Sequence, residues 1–65
     1  MRASELSDRQ RQIVALVVRG MENQDIGRRL GIGTGTVKTH VHRVLKATGL
    51  ANRTALVRWF LESER

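Results

Sequence analysis

Apolar residues recur at three- and four-residue intervals along most of this chain, the period of helices with one buried face. Ile13, Val14 and Val17, with Leu16 at the edge, predict a first helix over about residues 8–19. Ile26 and Leu30, four apart, predict a short second helix over 24–30. Wound at about 100° per residue, Val37, Val41, Val44, Leu45 and Thr48 fall within about 100° of one another, which predicts a third helix over 34–48. Leu56, Val57, Phe60 and Leu61 form a broad apolar face on a fourth helix over 53–63.

The residues between these stripes have the chemistry of helix ends. Ser7 followed by Gln10 has capping-box spacing, and Leu6 just before it can act as a hydrophobic staple. Asp8 suits the positive end of the first helix, and Gly20 ends it. Met21 is expected to cover the join, and Asn23 is a good N-cap for the second helix. Gly31 stands where a helix end favours positive φ. Gly33 or Thr34 is expected to cap the third helix, Gly49 to stop it, and Asn52 to cap the fourth. Residues 1–5 read as a flexible tail and 6–65 as one all-α, four-helix domain.

The outer face of the third helix changes the picture from fold to function. Lys38, Thr39, His42 and Lys46 lie opposite the apolar stripe, with cations and short hydrogen-bonding groups but no carboxylate. A merely solvated face usually mixes both signs. Ahead of it, Ile26, Gly27, Leu30, Gly31, Ile32 and Val37 have helix-turn-helix spacing, in which the second helix enters the major groove. Gly27 costs about 1 kcal/mol relative to alanine inside a helix, an expense that makes sense where two helices cross closely. Each of these residues alone is ordinary core or turn chemistry; their joint spacing is the signal.

Composition sharpens this reading. At 65 residues with no cysteine, the chain can form one domain near the lower size limit, without disulfide or thiolate-metal support. The absence of proline and the scarcity of aromatics, Trp59 and Phe60, favour a helical bundle over a β fold. The net charge is +6, and its distribution is uneven. All acids, Glu5, Asp8, Glu22, Asp25, Glu62 and Glu64, lie outside the stretch 26–61, which holds Arg28, Arg29, Lys38, Arg43, Lys46, Arg53 and Arg58. A field of this shape fits a polyanionic partner. No apolar run reaches transmembrane length and no signal-peptide pattern opens the chain, so a cytoplasmic location and no membrane contact are expected.

Other chemistries find little support. GIGTGT lacks the GK[ST] of a phosphate-binding P-loop and no strand precedes it. His40 and His42, two apart on a helix, point about 200° away from each other and cannot share a metal as an i,i+4 pair could. His40 is expected to flank the core or to reach a phosphate. The acids are scattered, so neither an enzyme nor a cofactor is expected. A helical module binding an acidic protein is the alternative of another class. On the last helix, Ala55 and Trp59 sit beside the apolar face, either covering the core edge or offering a surface to a second copy.

With these elements placed, the chain resembles the LuxR/GerE-type helix-turn-helix domain of bacterial transcription regulators, the output domain of response-regulator and quorum-sensing proteins. The similarity covers about residues 6–60 and rests on LSDRQRQIVALVVRG, NQDIGRRLGI, TVKTHVHRVLKATGL and NRTALV. It implies a four-helix fold, sequence-specific binding of promoter DNA, and dimerisation, often through the last helix. It also makes RNA polymerase a candidate partner. By position, it places Lys38, Thr39 and His42 at base edges and Thr36, Lys46 and Arg43 at backbone phosphates. Thr34, in the glycine-rich turn where free helix amides face a phosphate, joins the phosphate group. Ala55 and Trp59 are then assigned to the dimer interface. The chain departs from the family in having Gln10 for Glu, Glu22-Asn23 for Ser-Asn, Gly27 for Ala and Gly33 for Ser. GTGTVK is also similar to region four of sigma factors, but the continuation GLANRTALVRWF favours the first family. Nothing in the chain resembles a sensor, which fits either a domain of a longer regulator or a small standalone one.

Overall fold

A computed structural model describes residues 1–63. Four helices follow a short 3-10 turn: α1 (Asp8–Val18), α2 (Asn23–Leu30), α3 (Thr34–Thr48) and α4 (Arg53–Ser63). There is no strand among the described residues. The expected order and type of every helix are present, and the ends differ by at most one residue.

The capping box forms as its spacing predicts. The Gln10 amide donates to Ser7 Oγ and the Ser7 amide to Gln10 Oε1, both at 3.1 Å. At α4 the Ala55 amide donates to Asn52 Oδ1 at 2.9 Å. α2 departs from expectation. Its N-cap position is Glu22, which makes no side-chain cap bond, and Asn23 is the first helical residue. Asn23 is drawn elsewhere: its Oδ1 accepts from Arg53 Nη1 at 2.7 Å, while Arg53 Nη2 donates to the Met21 carbonyl at 2.6 Å. A charged hydrogen bond that ties α4 to the start of α2 outcompetes a neutral cap.

α1 is the central element. Ile13 and Val14 on it are fully buried, together with Ile26 from α2, Val37 from α3 and Leu56 from α4. α1 packs on both α3 and α4, and α2 packs on α3. Leu16, which the helical wheel places at the edge, is buried as well. Leu6 is also in the core. Leu61, by contrast, is half-exposed, so the buried stripe of α4 is narrower than its apolar pattern.

Ahead of α1, where the sequence suggests a tail, Ala3–Glu5 form the 3-10 turn and Ala3 is buried. Arg11 explains the placement. Its Nη1 donates to the Ala3 carbonyl at 3.3 Å and its guanidinium lies 5.7 Å from the centroid of the Phe60 ring. Trp59 Nε1 further donates to the Met1 carbonyl at 3.2 Å. The first residues thus lie over the junction of α1 and α4, held by side chains remote in sequence.

Candidate nucleic-acid interface

The turn between α2 and α3 sets the site. Gly31 adopts φ 71°, the left-handed conformation that ends α2, and the Ile32 amide bonds back to the Gly27 carbonyl at 2.9 Å. This is the Schellman-type ending that reverses a chain within a few residues. A Cβ built on Gly27 would lie 2.7 Å from the Ile32 carbonyl oxygen. Glycine at 27 therefore lets the turn backbone rest directly on α2. Ile32 packs half-buried against the core, and Val37, fully buried, anchors the first turns of α3.

α3 then begins at Gly33 without any side-chain cap. The amides of its first turn have no hydrogen-bond partner among the described residues until Val37, which bonds to the Gly33 carbonyl at 3.1 Å. Open amides at a helix N-terminus favour an anion. At 15 residues, α3 is about 22 Å long.

Lys38, Thr39, His42 and Lys46 are all exposed, and helical rotation puts Thr39, His42 and Lys46 on the side away from the buried Val37, Val41 and Val44, with Lys38 at the edge of that face, about 60° from Val41. The predicted reading trio is therefore one continuous surface. Thr36 and Arg43, also exposed, share one flank of α3. Thr34 is exposed too, but lies about 160° around the helix from Thr36 and faces the other flank. Thr39 is less free than its type suggests: its Oγ1 donates to the Gly35 carbonyl at 3.0 Å. Its methyl group and the oxygen's remaining lone pair stay available outward.

Charge follows geometry with two adjustments. Arg53 is turned inward by its bonds to Asn23 and Met21, and so supports the fold. Arg28 lies 3.7 Å from Asp25 in a solvent-exposed i,i+3 pair, an arrangement of small energetic weight. Lys38, His42, Arg43 and Lys46 make no ion pair with any described residue. His40 belongs to neither face. It is half-buried on α3 and its Nδ1 is buried with no hydrogen-bond partner among the described residues. Sequence periodicity places His40 at the margin of the apolar stripe, but the orientation of its ring is visible only in three dimensions.

Ala55 and Trp59 are half-buried on α4 and, with Leu50, line a shallow groove rimmed by Arg58 and Glu62. Among the described residues, no helix is long and apolar enough to cross a membrane, and no group of acids and histidines could hold a metal ion.

A short helix, a left-handed glycine turn and a longer helix with an exposed, acid-free face define a helix-turn-helix domain. The chain belongs to the luxR family of bacterial regulatory proteins, whose GerE-type pattern matches residues 4–60. It is 42% identical over 52 residues to the monoamine regulon transcriptional regulator of Klebsiella aerogenes, covering 80% of this chain and 23% of that protein. It is 39% identical over 56 residues to the nitrate/nitrite response regulator protein NarL of Escherichia coli K12, covering 86% of this chain and 26% of that protein. The transcriptional regulatory protein MctR of Rhizobium johnstonii is 35% identical over 57 residues, 88% of this chain and 27% of that protein. The chain thus spans about a quarter of the length of each of these three relatives. No solved structure gives a significant match.

Proposed function

We propose that this chain binds double-stranded DNA in a sequence-dependent manner, as the DNA-contacting part of a bacterial transcription regulator, with α3 in the major groove. The observation that carries the reading is the outer face of α3. Lys38, Thr39, His42 and Lys46 are exposed together, and no acid occurs between residues 26 and 61. A helix fits the major groove, which is about 12 Å wide.

Lys38 can donate to the O6 and N7 atoms of guanine. With its hydroxyl proton given to Gly35, Thr39 presents its methyl group, which suits apolar contact with thymine. His42 can donate or accept. Thr34 and Thr36, on opposite flanks, together with Arg43, Lys46 and the open amides at the start of α3, hold phosphates of the two strands. Such contacts fix register, while base edges supply specificity. Binding as a homodimer, with Ala55 and Trp59 at the contact, would set two copies of α3 about one helical turn of DNA apart. That arrangement calls for a palindromic site. The setting is cytoplasmic, where promoter DNA and RNA polymerase are both accessible.

The test is fluorescence anisotropy of this chain with a labelled random-sequence duplex across a salt series. Phosphate contacts predict that log affinity falls linearly with log salt, with a slope of about −0.9 per phosphate neutralised. Selection from a randomised duplex pool then gives the preferred site. Absence of binding at low salt rejects the DNA reading and leaves the basic face to an acidic protein partner.

A further inference from the structure

His40 is the one titratable side chain of α3 that the DNA-binding reading leaves unused. The residue is half-buried, and its Nδ1 is enclosed without a hydrogen-bond partner among the described residues. A neutral imidazole carries one N–H, and the other nitrogen is an acceptor. A proton on Nδ1 would create an orphaned buried donor, which native proteins avoid more strictly than an orphaned acceptor. The burial pattern therefore assigns the lone pair to Nδ1 and the proton to Nε2, the edge left to face outward.

Its position along α3 gives that proton a direction. Thr36 lies four residues before His40 and Arg43 three after, about 40° and 60° away around the helix. Helical side chains lean towards the N-terminus, so the imidazole lies over the turn containing Thr36. That turn ends at Gly33, where the first amides of α3 are uncapped. Amides, the Thr36 hydroxyl, the His40 Nε2–H and the Arg43 guanidinium thus form a single flank of donors.

We propose that His40 is a DNA-phosphate ligand: its Nε2–H donates to a phosphate oxygen of the strand held by Thr36 and Arg43, while its buried edge fixes the tautomer that makes this possible. The assignment rests on the DNA-binding reading above. It differs from the lysine and arginine contacts in one measurable respect. A neutral donor strengthens binding without releasing a counterion, so it adds affinity and leaves the salt slope unchanged.

The experiment compares the parent chain with His40→Leu and His40→Gln under the same buffer and pH. Leucine fills the site and cannot donate. Glutamine places an amide N–H at about the reach of Nε2. For His40→Leu, affinity is expected to fall about tenfold, the scale of one hydrogen bond to a charged acceptor. The fall should be equal on selected and random duplexes, because phosphate contacts carry no sequence information. His40→Gln should stay within about threefold of the parent. The salt slope should be the same for all three, whereas Arg43→Gln should lower it by about one. Thermal unfolding separates this role from packing: His40→Leu removes a buried unpaired nitrogen, so its midpoint should equal or exceed the parent's while its DNA affinity falls. Unchanged DNA affinity in His40→Leu, or an equal loss in both variants with a lowered midpoint, overturns the assignment. A parent chain that shows no salt-dependent duplex binding would instead overturn the DNA reading, and the role of His40 with it.

Discussion

Replacing Gly27 with valine probes the closest approach in the fold. The Cβ alone would stand 2.7 Å from the Ile32 carbonyl oxygen, with Gly33 C and Thr34 N at 3.5 Å. The turn must therefore retreat by about half an ångström to restore van der Waals contact, and two further methyl carbons enlarge the demand. Overpacking of this kind costs about 1–3 kcal/mol. Loss of the 2.9 Å Ile32 to Gly27 hydrogen bond adds about 1 kcal/mol. Better helix propensity returns only about 0.4 kcal/mol. The net cost is about 2–4 kcal/mol, against a total stability of roughly 3–10 kcal/mol for a domain of this size. Circular dichroism should show the unfolding midpoint falling by roughly 8 °C or more. DNA affinity should fall even where the variant is folded, because the displaced turn carries the start of α3. Alanine brings the same 2.7 Å Cβ contact with the Ile32 carbonyl oxygen but no further carbon. Its propensity gain of about 1 kcal/mol offsets part of that, so Gly27→Ala should be less destabilising than Gly27→Val. A valine variant as stable as the parent, with unchanged DNA binding, would refute the close-packing argument.

Lys38→Ala should cost roughly 1–3 kcal/mol on the selected site and relax the preference at one base pair, read by competition among single-base variants. Lys46→Ala should weaken all duplexes alike and reduce the salt slope by about one. Arg53→Ala leaves the Met21 carbonyl and Asn23 Oδ1 without their donor and should destabilise the fold by about 2 kcal/mol in urea titration, with the salt slope of DNA binding unchanged. Trp59→Ala should reduce affinity for a duplex with two half-sites by tenfold or more and barely alter affinity for a single half-site; equal effects on both would remove α4 from the dimer contact.

The helices themselves were legible because their determinants are local. The apolar period of α3, the Ser7 and Gln10 capping box and the Asn52 cap act over three or four residues, and all of them appear as their spacing implies. The helix-turn-helix was legible for a related reason. A short turn confines Ile26, Leu30, Ile32 and Val37 to one neighbourhood, so linear spacing nearly fixes their packing. The outward face of α3 follows from the same rotation that buries Val37, Val41 and Val44.

What the linear pattern could not decide depends on partners far along the chain. Asn23 has the chemistry of a cap, but Arg53, 30 residues later, claims its oxygen. Arg53 in turn looks like one more surface cation until Met21 and Asn23 are seen to hold it. Residues 1–5 have no apolar period, and only Arg11, Phe60 and Trp59 show why Ala3 is buried. Leu61 extends the stripe of α4 on a helical wheel, but it stays half-exposed once the helices pack. His40 is the finest case, since rotation places it at a margin and burial decides which nitrogen faces out. Local free energies of a few kcal/mol specify each helix of this chain from its own residues. The hydrogen bonds of its long polar side chains are assigned only when the helices pack, because their donors and acceptors then meet across the fold.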